Sequence, residues 1–96
     1  MRPSDALHTH RSAILATVAQ FHTANARVFG SVLDAQDNEH SDLDLLVDAL
    51  PGATLFDLGG LQMTLERLLG VPVDVRTPAD LPVKFRAQVL AMAQPL

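Results

Sequence analysis

The sequence predicts an α+β domain in which helices cover one face of a short, three-stranded mixed sheet. Two segments, residues 42–47 and 71–75, alternate apolar and polar side chains with the period of a half-buried strand. Other segments space their apolar residues with the period of a helix, and glycine or proline stands at the boundaries. With 96 residues, 48% of them hydrophobic, the chain has the size and composition of one globular domain spanning residues 1–96.

The first half of the chain predicts one helix followed by two strands. Ser4 precedes apolar residues at helical spacing, which predicts a helix over residues 5–23 with Ser4 as its cap. Residues 26–29 predict a short strand that a glycine ends, and residues 34–41 predict a polar loop with solvated acidic side chains. Residues 42–47 follow as the second strand, and the length of the connection allows a hairpin between the two strands.

The second half predicts a helix, a third strand and a last helix. Leucines at steps of three and four residues predict a helix that ends at Gly70: Leu58, Leu61, Leu65 and Leu68. Two consecutive glycines inside this helix predict either close packing or room for a ligand. Residues 71–75 predict a strand, and Pro72 indicates an edge position or a strand start. Residues 81–93 predict the last helix.

Composition and charge exclude several classes of function. The chain has no cysteine, which excludes a disulfide scaffold, a thiolate metal site and a thiol nucleophile. The net charge of −4 argues against direct binding of nucleic acid through phosphate neutralisation. With no tryptophan, no tyrosine and four phenylalanines, the chain offers no aromatic platform for stacking bases. No stretch is long and apolar enough for a membrane span, and we expect a cytoplasmic protein.

Acidic side chains mark the outer face of the second and third strands. Because side chains alternate along a strand, Asp42 and Asp44 share one face while the leucines beside them point to the core. Asp74 occupies the same outer face of the third strand, so neighbouring strands would bring three carboxylates together. Such all-oxygen clusters suit Mg²⁺ or Mn²⁺. Alternation alone also allows three ordinary surface aspartates that never meet. Asp48, at the strand end, is not expected to be a ligand.

A glycine–serine pair follows the first strand. Gly30 lets the backbone approach a ligand closely, and Ser31 offers a hydroxyl and an N–H, so a short helix beginning there would seat a phosphate. Such a pair is more often a simple turn or helix cap. The basic residues Arg27, Arg76 and Lys84 are either phosphate or partner contacts or solvated surface charges.

The glycine–serine pair and the aspartates of the second strand together form a motif with a defined spacing. Gly30-Ser31, ten further residues and then Asp42-Leu43-Asp44 resemble the signature of the nucleotidyltransferase superfamily that includes DNA polymerase beta. In that superfamily a third carboxylate lies on a later strand, which Asp74 would supply. The short chain is similar to the minimal nucleotidyltransferase branch over nearly its whole length, residues 5–96.

This resemblance implies a small nucleotidyltransferase fold and assigns roles to five residues. It implies that Gly30 and Ser31 hold the triphosphate of ATP, and that Asp42 and Asp44 bind two Mg²⁺ ions, for which Mn²⁺ can substitute. Asp74 would help to bind one metal and would deprotonate or orient the acceptor hydroxyl. The loop departs from the family, because Val32 and an acidic stretch stand where relatives often carry basic residues.

The same resemblance implies a partner. Minimal nucleotidyltransferases are commonly paired with HEPN-family toxins, so the implied function is an antitoxin of a type VII system that transfers AMP from ATP to a tyrosine of the toxin. Two alternatives stay open. One is an antitoxin without catalysis, which neutralises its toxin by complex formation. The other is a nucleotidyltransferase that acts on a small molecule, although a chain of 96 residues leaves little room for a dedicated acceptor pocket.

Overall fold

A mixed sheet with helices on its core-facing side organises the molecule, as a computed structural model that describes all 96 residues shows. Its strands are β1 (Thr23–Phe29), β2 (Leu43–Ala49), β3 (Val73–Arg76) and β4 (Gln94–Pro95), arranged in the order β3-β2-β1-β4. β1 is antiparallel to both β2 and β4, whereas β2 and β3 are parallel. The α+β class, the β1–β2 hairpin and the edge position of the strand that follows Pro72 are confirmed.

The strand count differs from the prediction, since the sheet has four strands rather than three. β4 is only two residues long and pairs with Arg27 and Val28 of β1. A segment of that length has no alternation to detect, so its pairing depends on tertiary contact alone. β1 also begins at Thr23 rather than at residue 26. Its register against β2 shifts between Ala24 and Arg27, where Asn25 has a φ of +54°, and this irregularity interrupts the alternation that a sequence pattern could detect.

The four helices are α1 (Pro3–Thr9), α2 (Arg11–Gln20), α3 (Leu55–Leu69) and α4 (Val83–Met92). The prediction of one helix over residues 5–23 is wrong, because the chain bends at His10. His10 has a φ of −113° and a ψ of 22°, outside the helical region, and this residue separates the two helices. Leu7 of α1 and Ile14 of α2 are both buried, and seven positions apart they would share one face of an unbroken helix as well. None of the four helices has the length and apolarity needed to cross a bilayer.

Helix α3 has well-defined ends. Thr54 and Asp57 form a reciprocal capping box at its start, and Gly70 ends it in the left-handed conformation with a φ of +69°. The predicted stop at Gly70 is confirmed. Of the two consecutive glycines, Gly60 is a close-packing residue, because a Cβ there would lie 2.7 Å from the ring of Phe21. A Cβ at Gly59 would meet nothing within 4 Å.

The core lies between α1, α2 and α3 and one face of the sheet. Its centre is formed by side chains that are completely shielded from solvent: Ile14, Leu43, Leu45, Val47, Leu61 and Leu65. The alternation predicted for β2 is confirmed at Leu43, Leu45 and Val47. Leu46 points to the opposite face and is also buried, although it does not belong to the core cluster. The 3₁₀ turn Pro78–Asp80 contacts β2, so the second face is covered in part.

Asp37 anchors the loop between β1 and β2, contrary to the prediction of a solvated side chain. Its carboxylate is buried and accepts a hydrogen bond of 2.9 Å from the backbone N–H of Ser4, in the first turn of α1. This hydrogen bond lowers the pKa of Asp37 below its usual range. The Ser4 side chain is therefore not the cap that the sequence predicts, since the loop supplies the acceptor to this helix end.

We expect Asp37→Ala to destabilise the protein by about 1 kcal/mol, as loss of a helix-capping carboxylate does. Because the pKa of Asp37 is lowered on folding, its stabilisation exists above the ordinary carboxyl pKa and disappears as the pH falls through the lowered value. Urea unfolding at pH 7 and in acid measures both effects. Glu39→Ala, in the same loop and exposed, is the matched control and should change little. Equal effects of the two substitutions would contradict the anchoring role.

Candidate functional site

Three strand positions line up across the sheet where β1 ends and β2 and β3 begin. Phe29, the last residue of β1, stands opposite Asp44 of β2, and Asp44 stands beside Asp74 of β3. Residues at paired positions project from the same face of a sheet. The parallel pairing of β2 with β3 therefore brings the side chains of Asp44 and Asp74 together on the outer face, next to the turn that follows β1.

Gly30 makes room for the Asp44 carboxylate. Its φ of +77° is the left-handed conformation that side chains other than glycine rarely adopt. A Cβ at this position would collide with Oδ2 of Asp44 and lie 3.2 Å from its Cγ. Gly30 and Ser31 begin a 3₁₀ turn, Gly30–Val32, directly after the strand. The turn therefore places Ser31 just beyond the end of β1, next to the glycine that contacts Asp44.

The Asp44 carboxyl group resists ionisation. Its pKa is raised to about 6, chiefly because burial penalises the charged form and further because the negative charges of Asp74 and Asp42 repel it; Arg76 opposes this shift. Asp42 precedes β2 and is exposed. The structure thus brings Asp44 and Asp74 together by register, while Asp42 contributes its charge from just outside the strand.

Arg76 is the basic residue of this face, although the sequence alone leaves it open between a phosphate or partner contact and a solvated surface charge. Its Nε donates a hydrogen bond of 2.8 Å to Oδ2 of Asp74, and the pair is about as much exposed as buried, with side-chain exposures of 41% and 36%. Asp74 and Arg76 are two residues apart on one strand, so the alternation that assigned Asp74 to this face assigns Arg76 there as well. Asp74 is thus paired with Arg76. The structure contains no group of three acidic or histidine side chains arranged closely enough to hold a metal ion.

The donor chemistry of this face nevertheless fits a divalent cation. Asp42, Asp44 and Asp74 provide only carboxylate oxygens, which are the ligands that Mg²⁺ prefers. The cost of ionising Asp44 arises from burial and like charge, and a nearby cation would offset both terms. The space left by the missing Cβ of Gly30 keeps the Asp44 carboxylate at the turn rather than displaced from it.

The remaining charged candidates lie outside the site. Asp48 accepts hydrogen bonds from Arg27, at 2.6 Å, and from Asn25, at 3.0 Å, which together lower its pKa. Asp48, which was not expected to be a ligand, is therefore the structural partner of Arg27. Arg27 is occupied by this ion pair rather than free to contact a phosphate. Lys84 lies over the ring of Phe85, with its Nζ 5.6 Å from the ring centroid.

In metal-free buffer we expect Asp44→Asn to raise stability at pH 7.5 but not at pH 4. A carboxyl group whose pKa is raised on folding destabilises the folded state increasingly as the pH rises from about 4 through 6. After allowance for partial exposure the gain is about 1–2 kcal/mol. Asp48→Asn, on the same face of β2, should have the opposite sign, because it loses the Arg27 pair. Chemical denaturation at the two pH values tests both, and destabilisation by Asp44→Asn at pH 7.5 would contradict this account.

We expect the cost of Gly30→Ala to depend on Asp44. In the wild-type background the new Cβ collides with the Asp44 carboxylate and also imposes strain at positive φ. In an Asp44→Ala background only the strain remains, so Gly30→Ala should cost at least about 0.5–1 kcal/mol less there. Unfolding free energies of the four proteins in the double-mutant cycle measure this coupling. Additive effects would show that the glycine and the carboxylate do not touch in solution.

Comparison with known proteins agrees with this geometry. Residues 11–94 match the family model described as the nucleotidyltransferase domain. Over 52 residues the chain is 44% identical to a Methanocaldococcus jannaschii protein that bears the name "Putative protein adenylyltransferase MJ0435". That alignment covers 54% of this chain and 56% of the archaeal protein, so the match spans about half the length of this curated relative.

Solved structures show the same fold. "Structure of putative minimal nucleotidyltransferase" describes a chain with 43% sequence identity and a TM-score of 0.86, over 97% of this chain and 95% of that one. "Crystal structure of the toxin-antitoxin with AMP-PNP" describes another, with 19% identity and a TM-score of 0.74, over 88% of this chain and 69% of that one. At that identity the second likeness concerns the fold alone. The paired carboxylates beside a glycine–serine turn and the match over residues 11–94 lead to one conclusion: this chain belongs to the nucleotidyltransferase domain family.

Proposed function

We propose that this protein is an antitoxin that transfers AMP from ATP to a tyrosine of a HEPN-family toxin. The observation that carries the proposal is the adjacency of Asp44 and Asp74 beside the Gly30–Ser31 turn. Two carboxylates held together next to a backbone turn suit Mg²⁺-dependent chemistry on a phosphate ester far better than they suit a structural role. The named adenylyltransferase relative supports transfer of AMP, and a toxin as the acceptor follows from the resemblance to minimal nucleotidyltransferases.

In this proposal Gly30 and Ser31 seat the triphosphate. The first N–H groups of a helical turn have no partner within the turn, and the hydroxyl of Ser31 adds a further donor. Asp42, Asp44 and Asp74 would hold two Mg²⁺ ions, which would supply the positive charge that a triphosphate requires beside an acidic face. The acidic loop after Val32 adds no basic side chain, so we expect triphosphate binding to depend strongly on Mg²⁺.

Asp74 would prepare the acceptor. Its carboxylate accepts the proton of the tyrosine hydroxyl while the phenolate oxygen attacks the α-phosphorus of ATP. A new bond forms between this oxygen and the phosphorus, the bond to the β-phosphate oxygen breaks, and pyrophosphate leaves. Before this step Asp74 must be released from Arg76. An ion pair as exposed as this one is worth only ~0–1 kcal/mol, so its release is not a barrier to the reaction.

The transfer assay uses ATP labelled on the α-phosphate, Mg²⁺ and a purified HEPN-family toxin. We expect label on a toxin tyrosine, located by mass spectrometry, and loss of transfer by at least about 100-fold in Asp42→Ala and Asp44→Ala. Asp48→Ala is the matched control on the same strand and should keep most of the activity. Full activity in the Asp42→Ala, Asp44→Ala double variant would refute a catalytic role for these carboxylates.

The same reagents separate catalysis from simple complex formation. A toxin inactivated by covalent transfer stays inactive after this protein is removed, and its inactivation requires ATP. The ion pair that occupies Asp74 is the one observation that favours an antitoxin without catalysis. Inhibition that needs no ATP and reverses when the two proteins are separated would establish that alternative.

A further inference from the structure

Helix α3 binds the outer edge of β3 through two of its side chains. β3 pairs with β2 on one side and has no strand on the other. An edge strand usually leaves its outward N–H groups to solvent or to another chain. Here the N–H of Val73 donates a hydrogen bond of 3.0 Å to Oε2 of Glu66. The N–H of Val75 donates one of 3.1 Å to Oε1 of Gln62. The helix therefore takes the place of a neighbouring strand.

The spacing of the four residues explains how one helix makes both bonds. Gln62 and Glu66 are four positions apart, so they share one side of α3 and are separated by about 6 Å along its axis. Val73 and Val75, two positions apart on a strand, are separated by about 6.6 Å. Each acceptor directly follows a completely buried leucine of α3, so the packing of the helix on the core fixes where the acceptors lie.

Asp74 lies between the two bonded valines. On one side its strand is held by the register that places Asp74 beside Asp44 of β2, and on the other side by the two bonds from α3. The carboxylate of Asp74 accepts a hydrogen bond from Arg76, and the proposed transfer requires this bond to be released. After its release, the position of the Asp74 backbone determines where the carboxylate lies relative to Asp44 and to the acceptor.

We propose that Gln62 and Glu66 are positioning residues for Asp74, an inference that rests on the proposed function of Asp74 as the group that accepts the acceptor's proton. Both side chains act through the backbone of β3 and need no contact with a substrate. A proton acceptor must lie within hydrogen-bonding distance of its donor, and a misplacement of about 1 Å can cost about 100-fold in rate. The alternative is that the two bonds only cover the edge of the sheet, in which case their loss would leave transfer unchanged.

Two kinds of substitution separate these roles. Gln62→Met and Glu66→Met, alone and combined, remove the acceptor oxygens but keep the length of the side chain and its tendency to form helix. Gln62→Glu and Glu66→Gln keep an acceptor and are the conservative variants. Arg67→Met, at an exposed position on the same helix, is the matched control. Chemical denaturation establishes which variants are folded, and the single methionine variants carry the test if the combined variant is not.

Two measurements are independent of AMP transfer. In the combined methionine variant, native-state hydrogen exchange should show the N–H groups of Val73 and Val75 losing at least about tenfold of their protection. At pH 7.5 the coupling between Asp44→Asn and Asp74→Asn, measured from unfolding free energies, should fall by at least about half in that background, because the two carboxylates are no longer held together. Unchanged protection or unchanged coupling would overturn the proposal.

In the transfer assay we expect the combined methionine variant to lower kcat at least about tenfold, with a change of less than about twofold in the KM for ATP. The conservative variants and Arg67→Met should stay within about twofold of the wild-type kcat. An unchanged kcat in a folded methionine variant that has lost its protection would overturn the positioning role and leave only the covering of the edge. A loss of kcat in the conservative variants as large as in the methionine variants would overturn it as well.

Failure of the proposed function gives a different result. If the wild-type protein transferred no AMP, the assignment of Asp74 to the acceptor would be wrong. The exchange and coupling measurements would still decide whether Gln62 and Glu66 hold Asp74 beside Asp44. The two conclusions are therefore tested separately by the same set of proteins.

Discussion

The crowding of one carboxylate governs the arrangement of the candidate site. Asp44 is held between the backbone of Gly30 and the side chain of Asp74, with burial and like charge both opposing its ionisation. The parallel register of β2 with β3 creates this proximity, and the antiparallel hairpin of β1 with β2 delivers the glycine to it. A hydrophobic core on the other face holds these strands together, so the core stabilises an arrangement that is locally unfavourable.

The fold was predictable from sequence wherever a periodic pattern of apolar and polar residues extended over enough residues to be recognised. The alternation of β2 identified its buried leucines, and Gly70 marked the end of α3 because only a residue that tolerates the left-handed conformation ends a helix in this way. The break at His10 was not predictable, since no glycine or proline signals it and the apolar residues on both sides of it would share one face of an unbroken helix. Nor was β4, whose two residues gain their conformation from β1 alone.

For the candidate site, local pattern predicted which face each aspartate occupies but not what surrounds it. Asp44 and Asp74 are thirty positions apart in sequence, and only the strand order makes them neighbours. Arg76 could have been found, because it shares the face of Asp74 by the same alternation. The cavity between the end of β1 and α4 could not have been found from the sequence, because the small number of aromatic residues says nothing about where they meet. Phe29 and Phe85 line the same cavity although they belong to elements that are far apart along the chain.

The hydrogen bond between Asp37 and the Ser4 N–H joins two parts of the molecule that have separate roles. The loop that begins at Gly30 is tied at Asp37 to the first turn of α1, which precedes the region matched by the family model, residues 11–94. Local opening of proteins occurs in contiguous cooperative units. Any opening that separates helix α1 from this loop must therefore break the bond between Asp37 and Ser4. A displacement of α1 would release, at Asp37, the loop that the Gly30–Val32 turn begins.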